Sequence, residues 1–562
     1  MSHSSAPNHP KIKPILIQNF ASGHRLNENN LRKSSTSSLK ESRITYNLHF
    51  KRPFLKALRS QHQLSKLDYA IGPYIDTNPF QLINFSSNLK HLTNITTLNL
   101  NLIKSNQYDI NSYLKILMKS LSSLKNLTNL HILFSLDMND PKLLQDLLRY
   151  LLKISTLASL SLTFDSFPGL KIPHIQILST VLSRLSHLQT LRLKFANSPK
   201  DMDHAFQSLA SMLLDLRLLT KIELSLRGSP QLSPIEDSSM KALFTSFNSL
   251  KALSDLTLHN IIRDAYLVDL LAESFALLDP SRIRKLRLGF DEKLQERLIR
   301  GVSKVLKSFN ALQTLRLEFS DAWESQDTDL ADLAVLGSTI AGLTSLSYLS
   351  ITFPLYSNPE GIFENIVVAL ESLKSLNYLK LHFVGQTGVR KNEKITQLFA
   401  KIELLKSLKS LAIDFEDSKF LTDSHLETLA KSIGKLRFLK NIRVKFTHAD
   451  LITNQGVKTI INAIETLENL SGLKLGFAHN NQIDNEVMEK IQEALQSLPC
   501  LYAVRLDFLR CKKITSHHGL FQVLREMKNI GEIGLYLPRT KITYEEIEGL
   551  RKDKAVKKML WI

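Results

Sequence analysis

Tyr348 and Tyr378 open two similar phrases, YLSITF and YLKLHF, and Arg316 lies within a third, TLRLEF. Lys380 and His382 follow Tyr378 at alternate positions. Alternate residues of an extended segment project to one side, so ring, ammonium and imidazole share a face. Rings beside cations are recognition chemistry, the composition of binding hot spots. The same columns of related phrases hold Arg192, Lys194, Arg287, Arg443, Lys445, Lys474 and Arg505. Each is a candidate partner-binding residue.

No catalytic constellation accompanies them. The chain lacks a G-x-x-x-x-G-K-[ST] phosphate loop, a G-x-G-x-x-G after a strand, H-E-x-x-H, a G-x-S-x-G elbow, and H-R-D or D-F-G. Cys500 and Cys511 are the only cysteines, too few for a disulfide framework or a zinc site. Cys500 is expected to fill a small core position. His517–His518 has no Cys or Glu at ligand spacing. No metal, no cofactor and no enzymatic activity are expected. Ser34 and Ser35 follow Arg32–Lys33, a pattern that a basic-directed kinase takes, and are candidate phosphorylation sites.

The elements that position these residues repeat. "LTNITTLNLNL" (92–102) returns as "LKNLTNLHILF" (124–134), and the template L-x-x-L-x-x-L-x-L-x-F continues to the C-terminus. Its third apolar position falls on Leu98, Leu130, Leu160, Leu191, Ile222, Leu256, Leu286, Leu315, Leu349, Leu379, Leu411, Ile442, Leu473, Val504 and Ile533, at spacings of 29 to 34 residues. A truncated copy closes the chain with Val556, Met559 and Ile562. The first half of each copy alternates apolar and polar residues, which predicts a half-buried strand. The second half has helical period: Leu426, Leu429, Ala430 and Ile433 fall on one face, with Asp423 or Ser424 expected as N-cap. One strand and one helix cannot bury an apolar face alone, so a period of this size predicts a solenoid.

With these phrases, and "KFLTDSHLETLAKSI" in particular, residues 90–562 resemble the leucine-rich repeats, specifically the longer, helix-containing, ribonuclease-inhibitor-like class. The resemblance implies a right-handed α/β solenoid, a horseshoe of about 15–16 repeats of 29–34 residues, with a parallel concave sheet and convex helices. It also implies a recognition module. One column departs from the family. Five places beyond the third leucine, where the family usually carries Asn or Cys, this chain has Ile103, Ser135, Asp165, Ala196, Arg227 and Ile261. The preceding place is Phe in eleven of fifteen copies, which predicts a buried aromatic spine.

Residues 1–43 are polar, aperiodic and basic, and are expected to be a disordered tail. Residues 44–90 read as an N-terminal cap with a helix near "FLKALRSQHQLSKL", and 91–562 as the solenoid. The net charge is +19 in 562 residues, and residues 1–60 carry eleven Lys/Arg against Glu28 and Glu41. No signal segment and no apolar run of ~18 residues is evident. Few cysteines and no leader point to a reducing, cytoplasmic setting, with the nucleus also open. The function expected is a non-catalytic protein-interaction scaffold, its concave face binding a protein with an acidic surface. The alternative is nucleic-acid or anionic-membrane binding through the basic tail and basic strands.

Overall fold

The structure, a computed structural model, describes residues 15–17, 41–45, 65–71, 79–103, 111–135, 141–165, 172–195, 203–226, 236–261, 265–290, 296–319, 330–355, 359–385, 393–417, 419–515, 518–537 and 558–561. The chain forms two compact units, Met1–Leu253 and Ser254–Ile562. Both alternate parallel strands with helices in a solenoid-like α/β repeat arrangement, and in neither does the sheet close on itself.

In the first unit the strands are β1 (Ile15–Ile17), β2 (Glu41–Thr45), β3 (Lys66–Ile71), β4 (Thr97–Ile103), β5 (Asn129–Ser135), β6 (Ser159–Phe164), β7 (Thr190–Phe195) and β8 (Lys221–Leu226). Each pairs in parallel with the next. Between them lie α1 (Pro79–Leu89), α2 (Asn111–Leu121), α3 (Pro141–Leu151), α4 (Ile172–Leu182) and α5 (Asp203–Asp215), with α6 (Asp237–Ser249) after β8. Proline opens α1 and α3, where its fixed φ suits the first helical position and its missing N–H costs nothing.

The second unit contains β9 (Asp255–His259), β10 (Lys285–Phe290), β11 (Thr314–Phe319), β12 (Tyr348–Pro354), β13 (Tyr378–Val384) and β14 (Ser410–Phe415). It continues with β15 (Asn441–Phe446), β16 (Gly472–Gly476), β17 (Ala503–Asp507), β18 (Glu532–Tyr536) and β19 (Lys558–Trp561). Its helices are α7 (Ala265–Ala276), α8 (Glu296–Lys307), α9 (Leu330–Gly342), α10 (Pro359–Ser372), α11 (Glu393–Lys401), α12 (Asp423–Ile433), α13 (Asn454–Glu465), α14 (Asn485–Ser497) and α15 (His518–Glu526). Among the described residues no helix is long and apolar enough to cross a membrane.

Register follows the leucine column. Leu98, Leu130, Leu160, Leu191 and Ile222 are direct partners down the first unit. Leu256 through Ile533 are direct partners down the second, where Ile533 continues to Met559 of β19. The fifteen column residues from Leu98 to Ile533 are almost fully buried, at 0–2% exposure. The spine is also formed. Phe290, Phe319 and Phe353 stack with centroids 5.3 Å apart, as do Phe134, Phe164 and Phe195 at 5.4 Å. Helix rings close over the spine: Phe363 of α10 meets Phe383 edge-on at 5.2 Å, and Phe399 of α11 meets Phe415 at 6.2 Å.

The array starts earlier than residue 91. Leu67 of β3 is fully buried and pairs with Leu98, so Lys66–Ile71 and α1 form a further copy within the stretch read as a cap. The sequence hides it, because Gln61, Tyr69 and Ile71 stand where the phrase has Leu, Leu and Phe. Strand β2 adds Ser42 opposite Leu67, and β1 pairs with β2, so short strands enter the segment read as a disordered tail. Apart from Ser65–Leu67, the segment read as a cap helix lies outside the described residues, and Lys66 and Leu67 are in a strand.

Helix starts in the second unit grip one another. Thr422, not Asp423 or Ser424, is the N-cap of α12, in a box with His425. Asp423 instead reaches to the following copy, accepting from Thr453 N at 2.8 Å and Thr453 Oγ1 at 2.6 Å. Asn454 Oδ1 accepts from Asp484 N at 3.0 Å, and Asn485 Oδ1 from Thr515 N at 2.8 Å. Each capping residue, Thr453 or Asp484, in turn accepts from its own helix, at Gln455 N or Glu486 N.

Candidate functional site

The helices pack on the face carrying the leucine and phenylalanine columns. The opposite face displays the residues at −1, +1 and +3 from the central leucine, and register aligns them as rows across the strands. In the first unit this face is internally matched. Asn99 donates to the Asp68 carboxylate, and His131 Nδ1 lies 2.7 Å from Ser161 Oγ. Burial, then Lys194 and Arg192, push the His131 pKa down. Both cations nominated here share one carboxylate: Arg192 Nε is 3.1 Å and Lys194 Nζ 2.6 Å from Glu223. Burial alone would raise the Glu223 pKa, but Lys194 and Arg192 outweigh it and hold the carboxyl below its usual range.

The second unit differs. Its +1 row reads Thr257, Arg287, Arg316, Ser350, Lys380, Ala412, Arg443, Lys474, Arg505 and Gly534. Six of those ten residues are Lys or Arg. Several carboxylates on this face are paired, Glu318 with Arg316, Asp414 with Arg443 Nε at 2.8 Å and Asp507 with Lys445 Nζ at 3.7 Å, while Glu532 of β18 makes no ion pair among the described residues. His382 Nε2 lies 3.1 Å from Glu416, a contact that holds the Glu416 carboxyl below its usual range. Among the described residues no carboxylate pairs with Arg287, Lys380, Lys474 or Arg505.

Two of these pairings depend on glycine. Gly476 lies between Lys445 and Asp507 in the +3 row, and Gly289 between His259 and Glu318. A Cβ at Gly289 would strike the His259 ring, and one at Gly476 would lie 3.0 Å from Lys445 Cγ. The missing side chains let His259 reach Glu318, at 3.5 Å, across an intervening strand. Lys445 reaches Asp507 in the same way.

Tyr348 and Tyr378 are direct partners on β12 and β13, with centroids 4.1 Å apart and planes 5° from parallel. Burial first, and then Tyr348, push the Tyr378 hydroxyl up to about 12. Arg316 and Lys380 lie in the row beside the pair, with Ser350 between them. Burial pushes the Lys380 pKa down, Asp414 opposes this, and Arg316 and Arg443 add to the depression. The nominated ring, ammonium and imidazole of Tyr378, Lys380 and His382 thus stand together as alternate residues of one strand. Ser34, Ser35 and His517 lie outside the described residues.

The turns that follow these strands form a row that the sequence reading missed. At six places beyond the central leucine stand Gly385, Asp417, His448, His479 and Arg510, with φ of 103°, 56°, 54°, 61° and 62°. Left-handed backbone is costly for residues with a Cβ. Here it lets His448 N donate to Ala478 O at 3.0 Å and His479 N to Leu509 O at 2.8 Å, extending the inter-strand ladder. The two imidazoles stack with centroids 4.2 Å apart. One place further on, Asn480 is fully buried and donates to Ala449 O and Ile452 O at 2.6 and 2.9 Å. In the next copy Cys511 donates to Phe477 O at 3.1 Å. Asn and Cys therefore do satisfy turn carbonyls here, two places later than the column inspected in the sequence. Burial pushes the Cys511 thiol up to about 11. Cys500 is exposed rather than a core residue, because its turn buries the flanking Leu498 and Leu501 instead.

The chain matches no family model and no curated protein. Among solved structures, a structural-genomics protein from Bacteroides fragilis is similar over 47% of this chain and 71% of its own length, with 13% identity and a TM-score of 0.32. A likeness of that size carries no argument about this chain.

Proposed function

We propose that this chain is a non-catalytic interaction scaffold of leucine-rich-repeat type, which docks a protein partner on the helix-free face of its second unit. The observation that carries this reading is the Tyr348–Tyr378 stack flanked in register by Arg316 and Lys380. Stacked, half-buried rings present rigid apolar area, and the cations around them set specificity and approach rate toward an acidic partner. The first unit's face is a poorer candidate, because Glu223 already occupies both of its nominated cations. A cytoplasmic, reducing setting belongs to the same proposal.

The test is affinity capture with wild type, with the triple variant Arg316→Glu/Tyr378→Ala/Lys380→Glu, and with Arg192→Glu/Lys194→Glu as control. Partners lost only from the triple variant support the assignment. An identical partner list from all three proteins removes it.

A second reading is binding of nucleic acid or an anionic membrane. It draws on Arg287, Lys380, Lys474 and Arg505, four cations that no described carboxylate neutralises. Phosphate contacts would give affinity that falls steeply with salt. Deleting residues 1–43 separates a contribution of the basic N-terminal segment from one of the sheet.

A further inference from the structure

Toward the end of the second unit the cations form an unbroken run. Arg443, Lys474 and Arg505 are direct partners on β15, β16 and β17. Only Arg443 has a carboxylate partner in the run, Asp414. Burial, then Arg505 and Arg443, push the Lys474 pKa down. The surroundings on this face are small. Gly472 and Gly476 flank Lys474, Ala503 precedes Arg505, and Gly534 follows Arg505 in the row, with Leu560 of β19 as its partner beyond. No aromatic ring interleaves these three cations in the rows of β15, β16 and β17.

We propose that this ladder docks an α-helix bearing an acidic stripe, so that the partner inferred above engages the second unit through a helix laid across the strands. The proposal rests on that protein-docking reading and specifies its partner. Strand spacing of ~4.8 Å sets successive cations near 0, 4.8 and 9.6 Å along the row. A helix rises ~1.5 Å per residue, which puts carboxylates at i, i+3 and i+7 near 0, 4.5 and 10.5 Å. An extended peptide with acidic residues on one side repeats every ~6.8 Å and misses the third rung by about 4 Å. Lys380 stands two strands before Arg443, with the small Ala412 between. That gap of ~9.6 Å is again close to the i to i+7 distance of a helix. The glycines leave room for the side chains beside them, Asn441 over Gly472, Lys445 over Gly476 and Arg505 over Gly534, so that a docking helix meets these side chains rather than bare backbone. A single-stranded nucleic acid would want rings for its bases to stack on; β15, β16 and β17 supply none on this face, and Tyr536 stands beside Asp507 on β18.

The test is fluorescence anisotropy of the full chain with labelled synthetic peptides. One is an alanine-based helix with glutamates at i, i+3, i+7, i+10 and i+14. The second has the same composition with glutamates scattered around the helix. The third has the striped order broken by proline, and a single-stranded oligonucleotide of equal charge is the fourth probe. The striped helix is expected to bind about ten-fold more tightly than the scattered and broken peptides. Lys474→Gln/Arg505→Gln is expected to remove that preference, and Arg192→Gln/Lys194→Gln to preserve it. The glutamine variants keep a polar side chain and remove the charge, and their unfolding midpoints check that folding is intact. Equal binding of striped and scattered peptides overturns the helix assignment, as does tighter binding of the oligonucleotide. Loss of captured partners in the Tyr378 triple variant, alongside equal peptide binding, would sink the ladder and spare the docking reading. Striped-peptide binding with an unchanged partner list would do the reverse.

Discussion

Replacing Tyr348 and Tyr378 singly and together by alanine tests whether the stack is a built feature of the second unit. A buried aromatic ring removes ~150–250 Å² from water. With about half of each ring covered, ~100 Å² at ~25 cal/mol/Å² gives about 2.5 kcal/mol per ring. Part of that is mutual, because each ring covers the other with centroids 4.1 Å apart and planes 5° from parallel. Stacked pairs contribute about 0.5–1.5 kcal/mol beyond area, and directly opposed cross-strand pairs about 0.2–1 kcal/mol. The expected coupling is therefore about 1 kcal/mol, so the double variant should be that much more stable than the sum of single losses predicts. Repeat arrays need not unfold in one step. The assay is therefore native-state hydrogen exchange of the β12 and β13 amides, with urea unfolding by circular dichroism alongside. Additivity to within about 0.3 kcal/mol would refute the argument, since it would mean that the rings touch without depending on each other. Tyr378→Phe keeps the stack and loses the hydroxyl, which separates the two contributions. The alkaline limb gives an independent check. The Tyr378 hydroxyl is pushed up to about 12 in the fold against about 10 in an unfolded chain. Its contribution is fully present below pH ~10 and is lost as pH rises toward 12, a loss that should shrink in Tyr378→Phe.

Arg443 and Asp414 should respond asymmetrically. Asp414 is 3% exposed and Arg443 39%, so Arg443→Ala strands a buried carboxylate while Asp414→Ala frees a guanidinium that can reach water. The first should cost about 2–3 kcal/mol in urea unfolding and the second clearly less; the reverse order would refute the pairing. Phe319, stacked on both sides and 2% exposed, should cost about 3–5 kcal/mol as Phe319→Ala, read by exchange at β10, β11 and β12. Burial first, then His448 and Arg510, push the His479 pKa down. Its contribution is present above the ordinary histidine value of ~6.5 and is lost as pH falls through the depressed value. His479→Gln should flatten the acid side of a melting-temperature profile, and an unchanged profile would remove His479 from the account. Gly385, at φ 103°, should not accept a Cβ: Gly385→Ala should lower stability by about 1–2 kcal/mol, and a neutral result would deny the strained turn.

Most of the scaffold was legible because its signal is apolar and periodic. A branched aliphatic residue at one offset, fifteen times, fixes which residues face the helices, and the strand register then follows from one-to-one stacking of copies. The phenylalanine column was legible for the same reason. What escaped depends on polar neighbours from other copies. Lys445 finds Asp507 two strands away only because Gly476 leaves the space between them. Asp423 looks like a cap in its own copy and serves the following one instead. The copy at Leu67 was hidden because Gln61, Tyr69 and Ile71 replace the leucines and phenylalanine of the phrase. Asn480 and Cys511 lie two places beyond the inspected column, where they bond carbonyls of the preceding copy. The tyrosines and cations of the second unit were legible as residues sharing a face. Which cations remained without a carboxylate was not, since that depends on which diagonal neighbour each guanidinium or ammonium reaches.

The grips between helix starts make chain length discrete. Asp423 to Thr453, Asn454 to Asp484 and Asn485 to Thr515 each span 30 residues. One extra residue inside such an interval would have to be absorbed in the connecting loop for donor and acceptor to meet. A whole inserted module would leave every grip with a hand to hold. Such a chain lengthens or shortens by tandem duplication and in-frame deletion of complete modules, and each added module lengthens the polar sheet face by one strand.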